Sequence, residues 1–428
     1  MPGFDKIKLN KQLVRSLNEL GYTNPKEVQQ KTLNRIIGGQ DVIVVAPETA
    51  GKTTTVVLAA LNRFNYAPEG VPKVLILVPE TEDVHMVLEL FDRLNKNTSI
   101  SIVGLYVTPG LDAQLDALAD GADIVVATPD RARAIYLKLA LNLNKMELFI
   151  VDDADRMIKK GMQLPVAELA NSVTKAQYLV FTDVVHSKLD KMIDPFMTKA
   201  VTVEIDELEE TAIETHQQLL YNVPNFLTKV NLLNLFMYDA EVFTKSVVFI
   251  NNRATAEKVY QSMSRRMHEA VGYLNPHFDE HGFKSLDEFR ANPEARAIIV
   301  VTEEQDQLDL SGIPFLIHFD LPEDKETYIN RVTKTTEGDD TIALAFATDM
   351  ELSLVKKIEQ ATGNKMENAD LPDELVIVND AKPKAPKKPK ETESERGSAF
   401  HEKKASNNKN YNYSSGEKAK MNMKKKHG

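Results

Sequence analysis

The stretch Asp41-Val42-Ile43-Val44-Val45-Ala46-Pro47-Glu48-Thr49-Ala50-Gly51-Lys52-Thr53 joins a short apolar run to a helical one through a turn that ends in Gly-Lys-Thr. Val42 to Val45 predicts a buried strand, and Thr54 to Phe64 carries apolar residues at helical spacing. A Gly-Lys-Thr turn between strand and helix is built to hold nucleotide phosphates. Backbone N–H groups at the helix start face the anion, Lys52 brings a point charge to the terminal phosphates, and Thr53 offers a hydroxyl to magnesium. The loop is an unusual copy: Ala46 opens it in place of glycine, and Glu48, Thr49 and Ala50 fill its middle. Glu48 carries a negative charge toward a polyphosphate, which costs binding energy in a partly dry site.

Working outward, apolar strands alternate with helical stretches over residues 1 to 205. The predicted strands are 42–45, 74–78, 100–106, 124–127, 148–151 and 178–181. Such alternation predicts an α/β domain with a mostly parallel sheet covered on both faces. The acidic run Glu204 to Glu210 interrupts it and reads as a linker, placed at 206–214. A second alternating set follows over 215–378, with strands predicted at 217–221, 246–250, 297–301, 315–319 and 341–346. From 379 to 428 the text turns to Lys-Pro repeats and then to Ser, Asn, Glu and Lys. It has too few apolar residues to bury a core, and the reading there is a disordered basic tail.

Composition bounds the chemistry. There is no cysteine among the 428 residues, so disulfides, thiolate catalysis, Cys-based zinc sites and iron-sulfur clusters are excluded. No run approaches the ~18 apolar residues of a membrane span, and the first residues do not read as a secretory leader, so a soluble cytoplasmic protein is expected. The net charge is −11, yet residues 381–428 hold 14 Lys or Arg against 5 Asp or Glu, a surplus of 9 that leaves −20 on the rest. An acidic body repels nucleic acid at long range, so any positive groove must be local.

The run Leu148-Phe149-Ile150-Val151 leads straight into Asp152-Asp153-Ala154-Asp155. Carboxylates at the carboxyl end of a parallel strand lie where such sheets bind ligands. A magnesium ion on a phosphate needs one, given to Asp152, and a second can orient an attacking water, given to Asp153. Asp155 reads as the cap of the following helix, favoured there by the helix dipole.

With these partners in order, the chain resembles the DEAD-box RNA helicases over about residues 4 to 372. The resemblance implies two tandem RecA-like domains, ATP and Mg2+ as cofactors, and RNA as partner. Phe4, Gly21-Tyr22, Pro25 and Gln29 are similar to the family's adenine-reading segment; a side-chain amide at Gln29 offers adenine one donor and one acceptor. With Ala46, Gly51, Lys52, Thr53 and Asp309, Phe4 and Gln29 form the ATP set that the resemblance implies. Thr128 and Arg131, in Ala127-Thr128-Pro129-Asp130-Arg131, resemble an RNA-backbone element. Arg253, after Phe249-Ile250-Asn251-Asn252, and Arg331 join them in the RNA set.

Departures from the family pattern cluster on hydrolysis. Pro79-Glu80-Thr81-Glu82-Asp83 lacks the Arg of Pro-Thr-Arg-Glu-Leu, and Thr182-Asp183-Val184 stands for Ser-Ala-Thr. Asp306 and Gln307 replace an Arg and a Gly. Phe319-Asp320-Leu321-Pro322 with Tyr328 fixes a register that puts Lys334 and Glu337 on two arginines that reach the nucleotide. An arginine there is worth roughly 10³ to 10⁵ in rate. Lys334 keeps charge without the bidentate fork, and Glu337 reverses it. Asp153 stands for Glu; a displacement of roughly 1 Å costs about 10²-fold. Two readings follow: a slow ATP-dependent RNA helicase with Lys52, Asp152, Asp153 and Lys334 as its catalytic set, or a non-catalytic, nucleotide-gated RNA clamp. An adenine-nucleotide protein with no RNA role is a third. Lys382, Lys384, Lys387, Lys388 and Lys390, with Tyr411 and Tyr413, give the tail the composition of an RNA tether as well as of a solvated end.

Overall fold

The computed structural model describes residues 3–64, 69–108, 110–205, 212–277, 280–304, 308–334 and 340–378. The first sheet comprises β1 (Val42–Val45), β2 (Val74–Leu77), β3 (Ile102–Leu105), β4 (Ile124–Ala127), β5 (Leu148–Val151), β6 (Gln177–Thr182) and β7 (Val201–Glu204). All pairings are parallel, in the order β3-β4-β2-β5-β6-β1-β7. Helices cover both faces, so the inner strands β1, β2, β4 and β5 must be apolar on both sides. In β2, Val74 and Ile76 enter one core while Leu75 and Leu77 enter the other. The helix Lys52–Leu61 is itself enclosed, with Val56 to Leu61 at most 3% exposed, which explains why its apolar residues surround it rather than form a stripe.

The second sheet contains β8 (Gln217–Asn222), β9 (Ser246–Ile250), β10 (Val271–Leu274), β11 (Gly282–Phe283), β12 (Ala297–Val301), β13 (Phe315–His318), β14 (Ile342–Ala347) and β15 (Glu367–Asn368). Its order is β11-β10-β12-β9-β13-β14-β8-β15, again parallel throughout. The protein is thus α/β, with two parallel sheets formed in tandem along the chain, as its alternating pattern predicts.

Four strands escape the sequence reading. Glu204, taken as the start of a linker, ends β7, which pairs with β1 from Val42↔Val201 to Val45↔Glu204. β10, β11 and β15 are short, and two of them turn on glycine. A Cβ on Gly282 would lie 2.2 Å from the Tyr273 carbonyl oxygen, and one on Gly272 would lie 2.9 Å from the Gly282 Cα. Backbone meets backbone there, which only glycine permits. Residues 206–211, Asp306, Gln307, Glu337 and the tail from 379 lie outside the described residues. Among the described residues no helix is long and apolar enough to cross a membrane.

Candidate functional site

Strand order decides which residues meet. β5, β6 and β1 are neighbours, so their carboxyl ends deliver Asp152 and Asp153, then Asp183, then the Ala46–Thr53 loop to one edge of the sheet. The strand ends are tied together: Ala46 N–H donates to the Thr182 carbonyl at 3.0 Å, and Asp152 N–H to that of Leu77 at 2.9 Å. Gly51 opens the helix Lys52–Leu61 with φ 95°, a left-handed conformation that side chains resist. A Cβ at Gly51 would come within 3.1 Å of Lys26 Cδ and 3.2 Å of Gln29 Nε2. Gln29, 22 positions earlier in the chain, therefore lies against the loop, while its Oε1 caps its own helix, Glu27–Ile37, by accepting from Lys26 N–H at 2.9 Å. Lys26 Nζ donates to the Thr49 carbonyl and braces the turn from outside.

Inside the loop, Lys52 is 3% exposed, and its ammonium donates to the Ala46 carbonyl at 3.0 Å and to Asp183 Oδ1. Asp153 Oδ1 stands 3.6 Å away. Burial disfavours the charged ammonium, but Asp183, Asp153 and Asp152 outweigh it, so its pKa ends above the ordinary lysine value. Asp183 shifts upward despite this partner, because burial dominates and Asp155 and Asp153 add repulsion. The direction fits a crowded pocket in which one lysine serves several carboxylates.

Asp152 is buried, with Oδ1 lacking any partner, and the Thr53 hydroxyl hydrogen-bonds its carboxyl. Burial and the adjacent Asp153 push its pKa from 3.8 to about 8, against the pull of Lys52 and Thr53. Because the folded pKa exceeds the unfolded one, the native state holds the extra proton between those two values. The contribution of this carboxyl to stability is full below 3.8 and is lost as pH rises through about 8. Thermal melts of the nucleotide-free protein are expected to fall across that window, and Asp152→Asn to fall less. Equal slopes for the two proteins would remove this account of the carboxyl.

This pocket also tests the fit of a magnesium nucleotide. An orphaned buried carboxylate oxygen beside a threonine hydroxyl, facing a glycine-started helix and its lysine, matches a phosphate-bound cation. Among the described residues no group of three or more His, Cys, Asp or Glu could hold a metal alone, so phosphate and water would supply most of the ligands. Glu48 is paired with Lys357 at 2.7 Å, and that bond keeps its carboxyl below the usual range and tempers the repulsion its position implies.

Asp155 departs from its reading. It does not cap its helix but is buried, accepting from Thr182 Oγ1 and from Asp183 N–H, each at 3.2 Å. The residue before the helix Ala154–Lys159 is Asp153, in the left-handed region at φ 54° and ψ 52°. A partner missed in the sequence is Arg156, whose Nη1 lies 3.0 Å from both Asp153 Oδ2 and Asp83 Oδ1 and so orients the second acid. Only the three-residue spacing from Asp153 on a helix could have suggested it.

The remaining residues are more scattered. Phe4 is 2% exposed, in the first core. Thr128 and Arg131 line a groove of about 480 Å³ with Glu80, Asp130 and Lys160, and Arg131 Nε donates to Gln114 at 2.8 Å. In the second domain Arg253 lies 4.3 Å over the Tyr273 ring and pairs with Glu280. Arg331 is buried 4.0 Å over Phe249, with Nη2 on Thr302 at 3.3 Å and Nη1 unpartnered. Asp309 is exposed and accepts from Ser311 N–H and Oγ. Lys334 N–H donates to the Glu214 carbonyl at 3.0 Å.

The profile of the DEAD/DEAH box helicase family matches residues 26–192, which contain the loop, Asp152, Asp153 and Asp183. The chain carries a DEAD/DEAH box helicase domain. Likeness to DEAD-box proteins extends past that domain. The ATP-dependent RNA helicase DeaD of Buchnera aphidicola is 25% identical over 378 residues, 86% of this chain and 61% of that protein. The ATP-dependent RNA helicase eIF4A of Candida albicans is 24% identical over 367 residues, 85% of this chain and 91% of its own. The chain thus spans less than two thirds of the length of the Buchnera relative. Among solved structures, a DEAD box protein from Methanococcus jannaschii shares 20% identity over 86% of this chain and 99% of its own, with a TM-score of 0.48.

Proposed function

We propose that this protein is an ATP-dependent RNA helicase-like protein of the cytoplasm that binds ATP with magnesium between its two sheet domains and RNA across them, with slow or impaired hydrolysis and unwinding. The observation that carries the reading is the meeting of Lys52, Thr53 and the unpartnered Oδ1 of Asp152 beyond the ends of β1 and β5. In this reading Lys52 holds the terminal phosphates, Thr53 and Asp152 hold the metal, Ala46 and Gly51 leave room for the chain of phosphates, and Gln29 meets adenine. Bound magnesium neutralises phosphate charge and leaves the terminal phosphoryl group open to water. Asp153, oriented by Arg156, is the group that would align that water. RNA is assigned to the Thr128 and Arg131 groove and to the second domain at Arg253 and Arg331, on the strength of the relatives' function.

Slow turnover is supported by what Lys52 already holds and by the shortened second acid. Lys334 in place of an arginine adds to it. The same observations support a second reading, a nucleotide-gated RNA clamp that closes on ATP without being reset by hydrolysis. Calorimetry with ATP and magnesium, followed by phosphate release with and without RNA, separates the two. Binding with release above a Lys52→Ala control is expected for the enzyme. Binding without release leaves the clamp, and no binding at all removes both.

A further inference from the structure

Asp183 has no counterpart among the groups assigned above. β6 pairs with β1 in the register Val45↔Thr182, so the residue after Thr182 emerges beside the loop. Its backbone is fixed: Asp183 N–H donates to Asp155 Oδ1 at 3.2 Å, and Thr182 Oγ1 donates to that same oxygen at 3.2 Å. The Asp183 side chain, only 13% exposed, accepts from Lys52 Nζ. With the Ala46 carbonyl as its other acceptor and Asp153 3.6 Å away, the ammonium is surrounded by oxygen before any ligand arrives. An incoming phosphate must take over the position of a carboxylate. Each further phosphate also brings more negative charge toward Asp183 and Asp153 in a site too enclosed for water to screen well.

We propose that Asp183 is a specificity-determining residue: it competes with the terminal phosphate for Lys52 and tilts the site toward nucleoside diphosphate over triphosphate. The proposal rests on the nucleotide reading above and adds to it which phosphate chain the site prefers. A carboxamide at 183 keeps the shape and can still accept from Lys52, but its charge is gone.

The test is to titrate the full chain, Asp183→Asn and Asp183→Ser with ATP-Mg and with ADP-Mg, following heat or the fluorescence of a labelled nucleotide. Thermal melts serve as the check on folding. Both variants are expected to gain about tenfold or more in ATP affinity and about threefold or less in ADP affinity, so that the ratio of the two constants moves toward ATP. Equal gains for both nucleotides, or no gain in folded variants, would overturn the proposal while leaving the nucleotide reading intact. Binding of neither nucleotide by any of the three proteins would remove the nucleotide reading and this proposal with it.

Discussion

Replacing Lys52 with alanine is expected to do two things at once: weaken adenine-nucleotide binding by about 100-fold or more and destabilise the nucleotide-free protein. The first follows, on the nucleotide reading proposed above, from losing the charge-assisted contact assigned to the terminal phosphates, at about 1.4 kcal/mol per tenfold. The second follows from the internal partners. Lys52 is the buried cation beside Asp152 and Asp183, while Asp153 also has Arg156, and removing one side of a buried pair leaves Asp183 foremost among the carboxyls without compensation, at about 3 to 5 kcal/mol. Urea unfolding of the unliganded variant should show the loss. Combining it with Asp183→Asn should recover a substantial part, because one of the stranded charges is then absent. An unchanged urea midpoint for Lys52→Ala would mean that the lysine is not held in this way.

Lys229→Met in the second domain should cost a similar amount, about 3 to 5 kcal/mol, although it lies in no candidate site. Lys229 is 3% exposed; its ammonium donates to the Phe319 carbonyl at 2.9 Å and to Glu351 Oε1 at 2.7 Å, with Asp320 Oδ1 at 3.9 Å. Methionine keeps most of the volume and none of the charge. Burial already raises the Asp320 pKa, and Lys229 opposes that rise. Without Lys229 the folded pKa moves further above the unfolded one, so the deficit should grow as pH rises and shrink in acid. Urea midpoints of the variant and parent at about pH 5 and pH 8 check this. A deficit independent of pH would assign the loss to packing alone.

Much of this architecture was legible because a parallel strand buried on both faces must be written almost wholly in Val, Ile and Leu. β1, β2, β4 and β5 are of that kind, and the reading located each of them. β10 and β11 were not, since their pairing depends on Gly272 and Gly282 letting two backbones touch, and that signal resembles a turn until the neighbour is known. At the site, Lys52, Thr53 and Asp152 could be picked out from spacing. That Asp183 would grip Lys52 could not, because the contact spans 131 positions and depends on β6 lying between β5 and β1. Asp155 misled for the same reason: an acid in a first helical turn has a local explanation, and burial beneath β6 supplied a different one.

The left-handed backbone at Asp153 limits what protein engineering can do with this pocket. Aspartate and asparagine enter that region more readily than longer side chains, and an ordinary residue is held there at about 1 to 2 kcal/mol. Lengthening the side chain to glutamate therefore works against the main chain as well as against the Arg156 contact cut to the shorter acid. A longer acid at this position would need a redesigned turn, with the torsions of residue 153 reset before the carboxylate is extended.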